Sequence, residues 1–253
     1  MKATPKSNRK AILVGPCLGG PKVRKRLFDS LLIRKSDLLL GVDGGTAHCL
    51  AHGLTPDFAV GDWDSLPKKK RVLSQVRHVT VSADKDRSDL FFAVLAAIEA
   101  GATDILCIGV TGGRPDHHLA TLLDLSRFST GQYGKLASVQ ARGVDGEYVF
   151  LSNSIPNWTA GVGTGQMVSL FALGSEVEGV TITGFRYPLK NARLIPSSWG
   201  LSNQVGNPVG KKVGKRKCEV RLRKGNLVVI MPREESDDRW GDGRSDRRGN
   251  GCD

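Results

Sequence analysis

The chain has 253 residues, of which 40% are hydrophobic and 25% charged, so it is long enough for one large domain or two ordinary ones. No segment approaches the roughly 20 consecutive apolar residues of a membrane span, and the N-terminal MKATPKSNRK lacks the apolar region of a secretory signal, so we predict a soluble cytoplasmic protein. The formal net charge of +12 suits nucleic acid or an anionic substrate equally well and does not choose between them.

The first 150 residues alternate short apolar segments with longer segments of helical periodicity. The clearest helix is predicted over 88–100, because Ser88 is a good N-cap and Gly101 can end the helix in the left-handed conformation. This alternation predicts a mostly parallel sheet with helices on both faces, which makes 11–150 an α/β domain. The predicted strands are 11–15, 38–42, 58–61, 79–83, 105–110 and 135–141, and the predicted helices lie within 21–35, 45–53, 65–76, 88–101 and 115–128.

The pattern changes after about residue 150 to short strands separated by Gly, Pro and Asn, which predicts an all-β, sandwich-like domain over 151–233. The predicted strands are 167–173, 180–185, 192–195, 218–223 and 227–232, and the KGN between the last two predicts a hairpin turn. We expect a basic, flexible N-terminus over 1–10, an exposed basic loop over 207–217 and a disordered polar tail over 234–253.

Aspartates follow three of the predicted parallel strands, where open α/β sheets bind ligands. Asp43 ends one strand, GDWDSL follows a second, and DKDRSD (84–89) follows a third. In an extended segment Asp62 and Asp64 would point to the same side, and a cation would offset their repulsion. No paired His or Cys lies near these aspartates, so their oxygen ligands favour Mg²⁺ over zinc. The five cysteines are scattered and form no CxxC pair, so we interpret them as reduced thiols. The alternative is that these aspartates only form turns and helix caps.

The loop TGGRPDHHLA (111–120) offers groups that bind anions, in contrast to the acidic segments. Its glycines leave backbone N–H groups at the start of a helix, where an anion binds well, and Arg114 and Lys85 can hold phosphates. Acids for a metal together with bases for phosphates indicate phosphoryl transfer. The sequence has no GxxxxGK[ST], so a P-loop nucleotide site is excluded.

The segments DGGTAHCLAHGLTPDFAVGDWDSL and KDRSDLFFAVLAAIEAGATDILCIGVTGGRPDHHLATLLDL closely resemble the thiamine pyrophosphokinases, whose pattern runs DGG, PD, GDxDS, [ST]D and GGRxDH. The resemblance continues through SLFALG, GVTITGFRYPL and LSN to a final hairpin and spans roughly 11–231. It implies an enzyme that moves a pyrophosphoryl group from ATP to thiamine with Mg²⁺. It also implies a homodimer whose active site lies at the subunit interface.

The resemblance also implies roles for residues at the motif positions. The metal ligands would be Asp43, Asp62, Asp64 and Asp89, and the last three with Arg114 would be catalytic. The nucleotide would contact Asp43, Gly44, Lys85, Ser88, Gly113, Arg114, Asp116 and His117. Thiamine would contact Ser202 and Asn203, with Trp199 as a stacking candidate for an aromatic cation.

Two other functions stay open at this point. The first is a pyrophosphokinase acting on another hydroxyalkyl heterocycle, such as a hydroxymethylpterin, which would share the metal chemistry. The second is a nucleic-acid-binding protein that uses the positive charge, although the sequence has no RNA-binding signature. Trp63 is interpreted as a packing residue, His48 and His52 as surface or packing residues, and loop 207–217 as a solvated insertion.

Overall fold

The computed structural model describes residues 8–64, 66, 68–82, 84, 86–206 and 214–233. The predictions for the N-terminus before residue 8, for Lys85, for the stretch 207–213 of the basic loop and for the tail 234–253 lie outside the described residues. The elements in chain order are β1 (Lys10–Val14), α1 (Pro21–Asp29), β2 (Leu38–Val42), α2 (Gly45–Ala51), β3 (Phe58–Gly61), α3 (Lys69–Leu73), β4 (His78–Thr80), α4 (Asp89–Glu99), β5 (Asp104–Ile108), α5 (Pro115–Ser129), β6 (Ser138–Arg142), β7 (Gly146–Leu151), β8 (Asn157–Gly163), β9 (Met167–Ala172), β10 (Val177–Thr183), β11 (Leu189–Leu194), a 3₁₀ turn (Ser198–Gly200), β12 (Asn203–Gln204), β13 (Lys215–Arg221) and β14 (Leu227–Pro232).

The N-terminal half forms six parallel strands in the order β6-β5-β1-β2-β3-β4. Side chains of a strand alternate between its faces, and here they enter two different cores. Ala11 and Leu13 pack with the core that includes α4 and α5, whereas Ile12 and Val14 pack with α1. Helices therefore cover both faces of the parallel sheet, as predicted.

The C-terminal half builds antiparallel structure on the same sheet. Strands β7, β14, β9 and β12 continue beyond β6, so one ten-stranded sheet runs in the order β12-β9-β14-β7-β6-β5-β1-β2-β3-β4. A separate sheet, β11-β10-β13-β8, contributes Val180, Ile182 and Val220 to the core that Leu170 and Val229 of the long sheet also enter. The predicted fold class, a mostly parallel α/β part followed by a β sandwich, is confirmed.

The predicted hairpin at KGN is wrong. Strand β13 pairs with β8 and β10 in the four-stranded sheet, whereas β14 pairs with β7 and β9 in the ten-stranded sheet. The connection crosses between the two layers. Gly225 has φ +108°, and a Cβ there would lie 2.7 Å from the carbonyl oxygen of Glu176, so a glycine is needed for a close backbone approach and not for a two-residue turn.

The prediction that the cysteines are reduced thiols is correct for some of them and wrong for one. Cys49, Cys107 and Cys218 are buried free thiols, but Cys17 is disulfide-bonded, so the prediction of reduced thiols is wrong for that residue. Cysteine pairing depends on tertiary contacts that spacing does not reveal.

Within the described ranges, no helix combines the length and the apolar character that a membrane span requires.

Candidate functional site

The predicted acidic and basic segments follow parallel strands of one sheet and therefore lie at the same edge of that sheet. Asp43 comes directly after β2, and Asp62 comes directly after β3, its neighbour. Asp89 begins α4, which packs on both β2 and β3. The loop before α5 follows β5. The structure thus brings these segments to the carboxyl edge, where α/β folds bind their ligands.

The DGG segment is held tightly between β1 and β3. Asp43 has a left-handed backbone (φ 46°), and its N–H donates to the Val60 carbonyl at 2.8 Å. Its Oδ1 atom is buried. A Cβ at Gly45, the residue after Gly44, would lie 1.8 Å from the carbonyl oxygen of Val14. Only glycine allows α2 to begin so close to the end of β1, and this contact sets the position of Asp43.

The segment GDWDSL is a turn and not the extended segment that we predicted. Strand β3 ends at Gly61, Trp63 has φ 66°, and the Asp64 N–H donates to Asp62 Oδ1 at 3.4 Å. The turn alternative is therefore correct for the local backbone, because a left-handed residue interrupts the alternation of side chains. Trp63 is 1% exposed, and its Nε1–H donates to Thr80 Oγ1 at 3.0 Å, which confirms it as a packing residue.

The N-terminus of α4 is capped as predicted and is also tied to α5. Ser88 Oγ accepts a hydrogen bond from the Phe91 N–H at 3.2 Å and donates to Asp124 Oδ2 at 3.1 Å. Burial raises the pKa of the Asp124 carboxyl. The next residue, Asp89, has a buried Oδ1 atom. Both hydrogen bonds of Ser88 are made within the protein, so its predicted contact with a nucleotide stays a prediction.

In the part of the chain that the structure describes, no three His, Cys, Asp or Glu side chains lie close enough together to hold a metal ion. Mg²⁺ does not need such a cage, because it is usually held by one or two carboxylates, water and substrate phosphates. Asp43 and Asp89 each place a buried carboxylate oxygen near the sheet edge. Asp62 is partly buried and Asp64 is exposed. These donors have the chemistry that Mg²⁺ prefers, and they fit a shared protein and phosphate site.

The loop of residues 111–118, which we call the GGR loop, presents its basic side chain together with an acidic one. Arg114 donates to Asp116 through Nε at 3.2 Å and through Nη2 at 2.7 Å, and the His117 N–H donates to Asp116 Oδ1 at 3.0 Å. The hydrogen bond from Arg114 lowers the pKa of Asp116 to about 2. Both side chains and His117 are exposed at the start of the 15-residue helix α5. The guanidinium is thus held at a helix N-terminus, where anions bind.

His48 in α2 and His52 just after its end are partly buried, which agrees with the predicted surface or packing role. His52 stacks on Phe28 with ring centroids 4.1 Å apart, and its Nδ1 lies 2.9 Å from the His48 carbonyl oxygen. Burial lowers the pKa of His48 to about 4, so its imidazole is neutral at physiological pH. Neither residue belongs to a metal-binding group among the residues described.

The predicted thiamine residues lie at the other end of the ten-stranded sheet, around β12. Trp199 is 63% exposed, so it does not fill the core of this chain. Ser202 is exposed and left-handed (φ 61°), and its N–H donates to Ser169 Oγ at 3.1 Å. Asn203 is buried; its Oδ1 accepts from the Tyr187 N–H, and its Nδ2 donates to the Tyr187 carbonyl oxygen. Asn203 therefore braces the neighbouring backbone, a role that the sequence did not predict.

The distance between these two groups of residues is large within one chain. Eight steps between neighbouring strands separate β12 from β3 in the sheet order. At roughly 4.8 Å a step, this corresponds to roughly 38 Å along the sheet. Within one chain, Trp199 and Ser202 therefore lie on a part of the sheet far from the strand that precedes Asp62 and Asp64.

Comparisons with known proteins give a consistent result. Residues 30–134 match the family model for the thiamin pyrophosphokinase catalytic domain, and residues 154–211 match the model for the thiamin pyrophosphokinase vitamin B1 binding domain. A thiamine pyrophosphokinase of Bacillus subtilis (strain 168) is 30% identical over 183 residues, which is 66% of this chain and 78% of that protein.

Solved structures share the fold. The crystal structure of thiamine pyrophosphokinase from Bacillus subtilis matches with a TM-score of 0.69 at 23% identity, covering 90% of this chain and 100% of that one. The yeast thiamin pyrophosphokinase structure matches with a TM-score of 0.63 at 13% identity, covering 91% of this chain and 88% of that one. At these identities the structural likeness establishes the architecture.

Proposed function

Because this chain belongs to the thiamine pyrophosphokinase family, we propose that it transfers a pyrophosphoryl group from ATP to the hydroxyl of thiamine, with Mg²⁺. The products are thiamine diphosphate and AMP. The observation that supports the proposal is that the carboxylates and the GGR loop with Arg114 lie at one edge of the parallel sheet. We further propose that residues 11–150 bind the nucleotide and metal, that 151–233 bind thiamine, and that the enzyme works in the cytoplasm.

We propose that one or two carboxylates from the set Asp43, Asp62, Asp64 and Asp89 would hold Mg²⁺ together with substrate phosphates. When bound, the ion neutralises phosphate charge and aligns the phosphates. Asp43 and Asp89 would contribute buried oxygens from the end of β2 and the start of α4. Asp62 and Asp64 flank Trp63. The left-handed backbone of Trp63 and its hydrogen bond to Thr80 fix the turn that carries both aspartates.

The basic half of the site would bind the transferred phosphates. Arg114 offers a planar fork of donors, and the exposed N-terminus of α5 beside Gly113 offers backbone N–H groups. We propose that Arg114 and Lys85 offset the charge that develops on the bridging oxygen while the thiamine hydroxyl attacks the β-phosphorus in line. A loose transition state needs little help from a general base, so we assign none.

The position of the thiamine residues makes the homodimer part of this proposal. Trp199 and Ser202 lie roughly 38 Å along the sheet from the carboxylates of the same chain. A site that uses both groups needs a second copy, which brings its β12 region to the carboxylate edge of the first. Trp199, at 63% exposure, is available for such a contact.

The test is AMP release from ATP and Mg²⁺ with thiamine, with a hydroxymethylpterin and with no acceptor. We expect AMP only with thiamine, and a loss of at least about 100-fold in Asp62→Asn/Asp64→Asn, because phosphate charge is then poorly neutralised. Asp29→Asn is the matched control, because Asp29 is an exposed carboxylate that pairs with Lys25 outside the site.

Two other outcomes would support a different function. AMP formed with the pterin and not with thiamine would replace the acceptor but keep the metal chemistry. A folded protein that releases no AMP, yet binds nucleic acid with a steep salt dependence that survives both Asp→Asn changes, would support the binding-protein alternative.

A further inference from the structure

Asp145 lies in the turn between β6 and β7 and contacts both ends of the GGR loop. Thr111, which begins the loop, donates from Oγ1 to Asp145 Oδ1 at 2.7 Å. His118, which ends the loop in the first turn of α5, places Nδ1 3.4 Å from Asp145 Oδ2. One carboxylate therefore spans the segment that contains Gly113 and Arg114. None of the motifs that identify the site includes Asp145.

A buried tyrosine holds this carboxylate in place. The Tyr148 hydroxyl donates to Asp145 Oδ2 at 2.5 Å, and Tyr148 is 4% exposed. Burial and the adjacent Asp145 raise the pKa of Tyr148, so the phenol remains a proton donor. Thr111 is 1% exposed. The carboxylate thus receives hydrogen bonds from two buried hydroxyls on two different elements.

The backbone of the turn and the backbone of the loop also interlock. Gly112 has φ +84°, and a Cβ there would lie 2.4 Å from Val144 Cγ2. A Cβ at Gly143 would lie 1.9 Å from Thr111 Oγ1. Both glycines are needed for the two segments to approach closely enough for Asp145 to bind Thr111. A glycine in the loop and a glycine in the turn therefore make this contact possible.

We propose that Asp145 is a positioning residue that fixes the GGR loop in the conformation that binds the nucleotide phosphates. This inference rests on the proposed function, since it concerns the same site. An unpaired carboxylate so near a phosphate-binding loop would weaken phosphate binding. The hydroxyl donors stabilise its charge within the protein, so Asp145 acts through the loop rather than by touching the substrate. Its loss should weaken ATP binding and leave thiamine binding nearly unchanged.

The experiment compares Asp145→Ala and Asp145→Asn with Asp104→Ala. Asp104 is a matched control, because it accepts from Ser138 Oγ at 2.8 Å and from Thr103 Oγ1 at 3.0 Å at the opposite edge of the same sheet. Calorimetry measures the affinity for a non-hydrolysable ATP analogue, and steady-state assays measure kcat and the KM values for ATP and thiamine. Urea unfolding reports the stability of each variant.

We expect Asp145→Ala to lose about tenfold or more in analogue affinity and to raise the KM for ATP, with the KM for thiamine within about twofold of wild type. The analogue affinity of Asp145→Asn should lie between those of wild type and Asp145→Ala, because an amide still accepts one hydrogen bond. Asp104→Ala should lose stability but keep its analogue affinity within about twofold.

The inference is overturned if Asp145→Ala loses stability while its analogue affinity stays at the wild-type value, or if Asp104→Ala weakens the analogue equally. If Asp145→Ala does not fold, Thr111→Val and Tyr148→Phe each remove one donor and take its place in the same comparison. A wild-type protein that binds the analogue but releases no AMP with thiamine would overturn the proposed function alone. A wild-type protein that does not bind the analogue would overturn both.

Discussion

Trp63 stands between two aspartates of the candidate site in a left-handed conformation, which costs an aromatic residue on the order of 1–3 kcal/mol. Burial of its ring and the hydrogen bond from Nε1 to Thr80 Oγ1 oppose that cost. Trp63→Phe removes the donor and part of the buried indole, so we expect the free energy of unfolding to fall by about 2 kcal/mol or more. Urea titration measures this change.

Thr80→Val is the companion variant, because it removes the acceptor of the same hydrogen bond. The double variant should lose less than the sum of the two single losses, because both changes break one contact. Strict additivity would show that the hydrogen bond does not hold the turn. The ring would then be the main anchor of the two aspartates.

Helix α4 links the acidic edge to α5 through one hydroxyl. Ser88 caps the helix at the Phe91 N–H and donates to Asp124. We expect Ser88→Ala to lower the free energy of unfolding by about 1–2 kcal/mol, since the cap is lost and a buried carboxylate loses a donor. Thermal or urea unfolding measures the loss. Ser74→Ala is the control, because Ser74 lies at the exposed end of α3 and should change stability by less than about 0.5 kcal/mol; an equal loss in both variants would refute the capping role.

The proposed homodimer predicts complementation between inactive chains. In the proposed arrangement each site takes its carboxylates from one subunit and Trp199 and Ser202 from the other. We therefore expect Asp62→Asn/Asp64→Asn and Trp199→Ala/Ser202→Ala to be nearly inactive alone. Equal mixing with subunit exchange should restore about a quarter of the wild-type activity, because half of the dimers are mixed and each mixed dimer has one intact site.

The measurement is thiamine-dependent AMP release after the two variants are exchanged, with each variant exchanged against itself as the control. Exchange is verified by native mass spectrometry of chains of different mass. Mixed dimers that form but recover no activity would show that each site is completed within one chain.

Local signals were enough to predict most of the elements and the place of the acidic and basic loops. The Ser88 cap and the end of α4 at Gly101, whose φ is +88°, depend on neighbours within one helical turn. Loops that follow parallel strands must reach the same edge, so alternating strands and helices already predict that the DGG, GDWDSL and GGR segments converge. Chain order predicts that the aspartates and Arg114 lie at this edge, whereas Ser202 and Asn203 were named only from the resemblance to the thiamine pyrophosphokinases.

Contacts between distant residues decided the rest. Whether β13 and β14 form a hairpin depends on which strands lie beside each one, and here they belong to different layers. The left-handed turn at Trp63 depends on a core and on Thr80, 17 residues away. Asp145 meets Thr111 across 34 residues. Such contacts form only when packing brings separate elements together. A local pattern of residues therefore does not predict them.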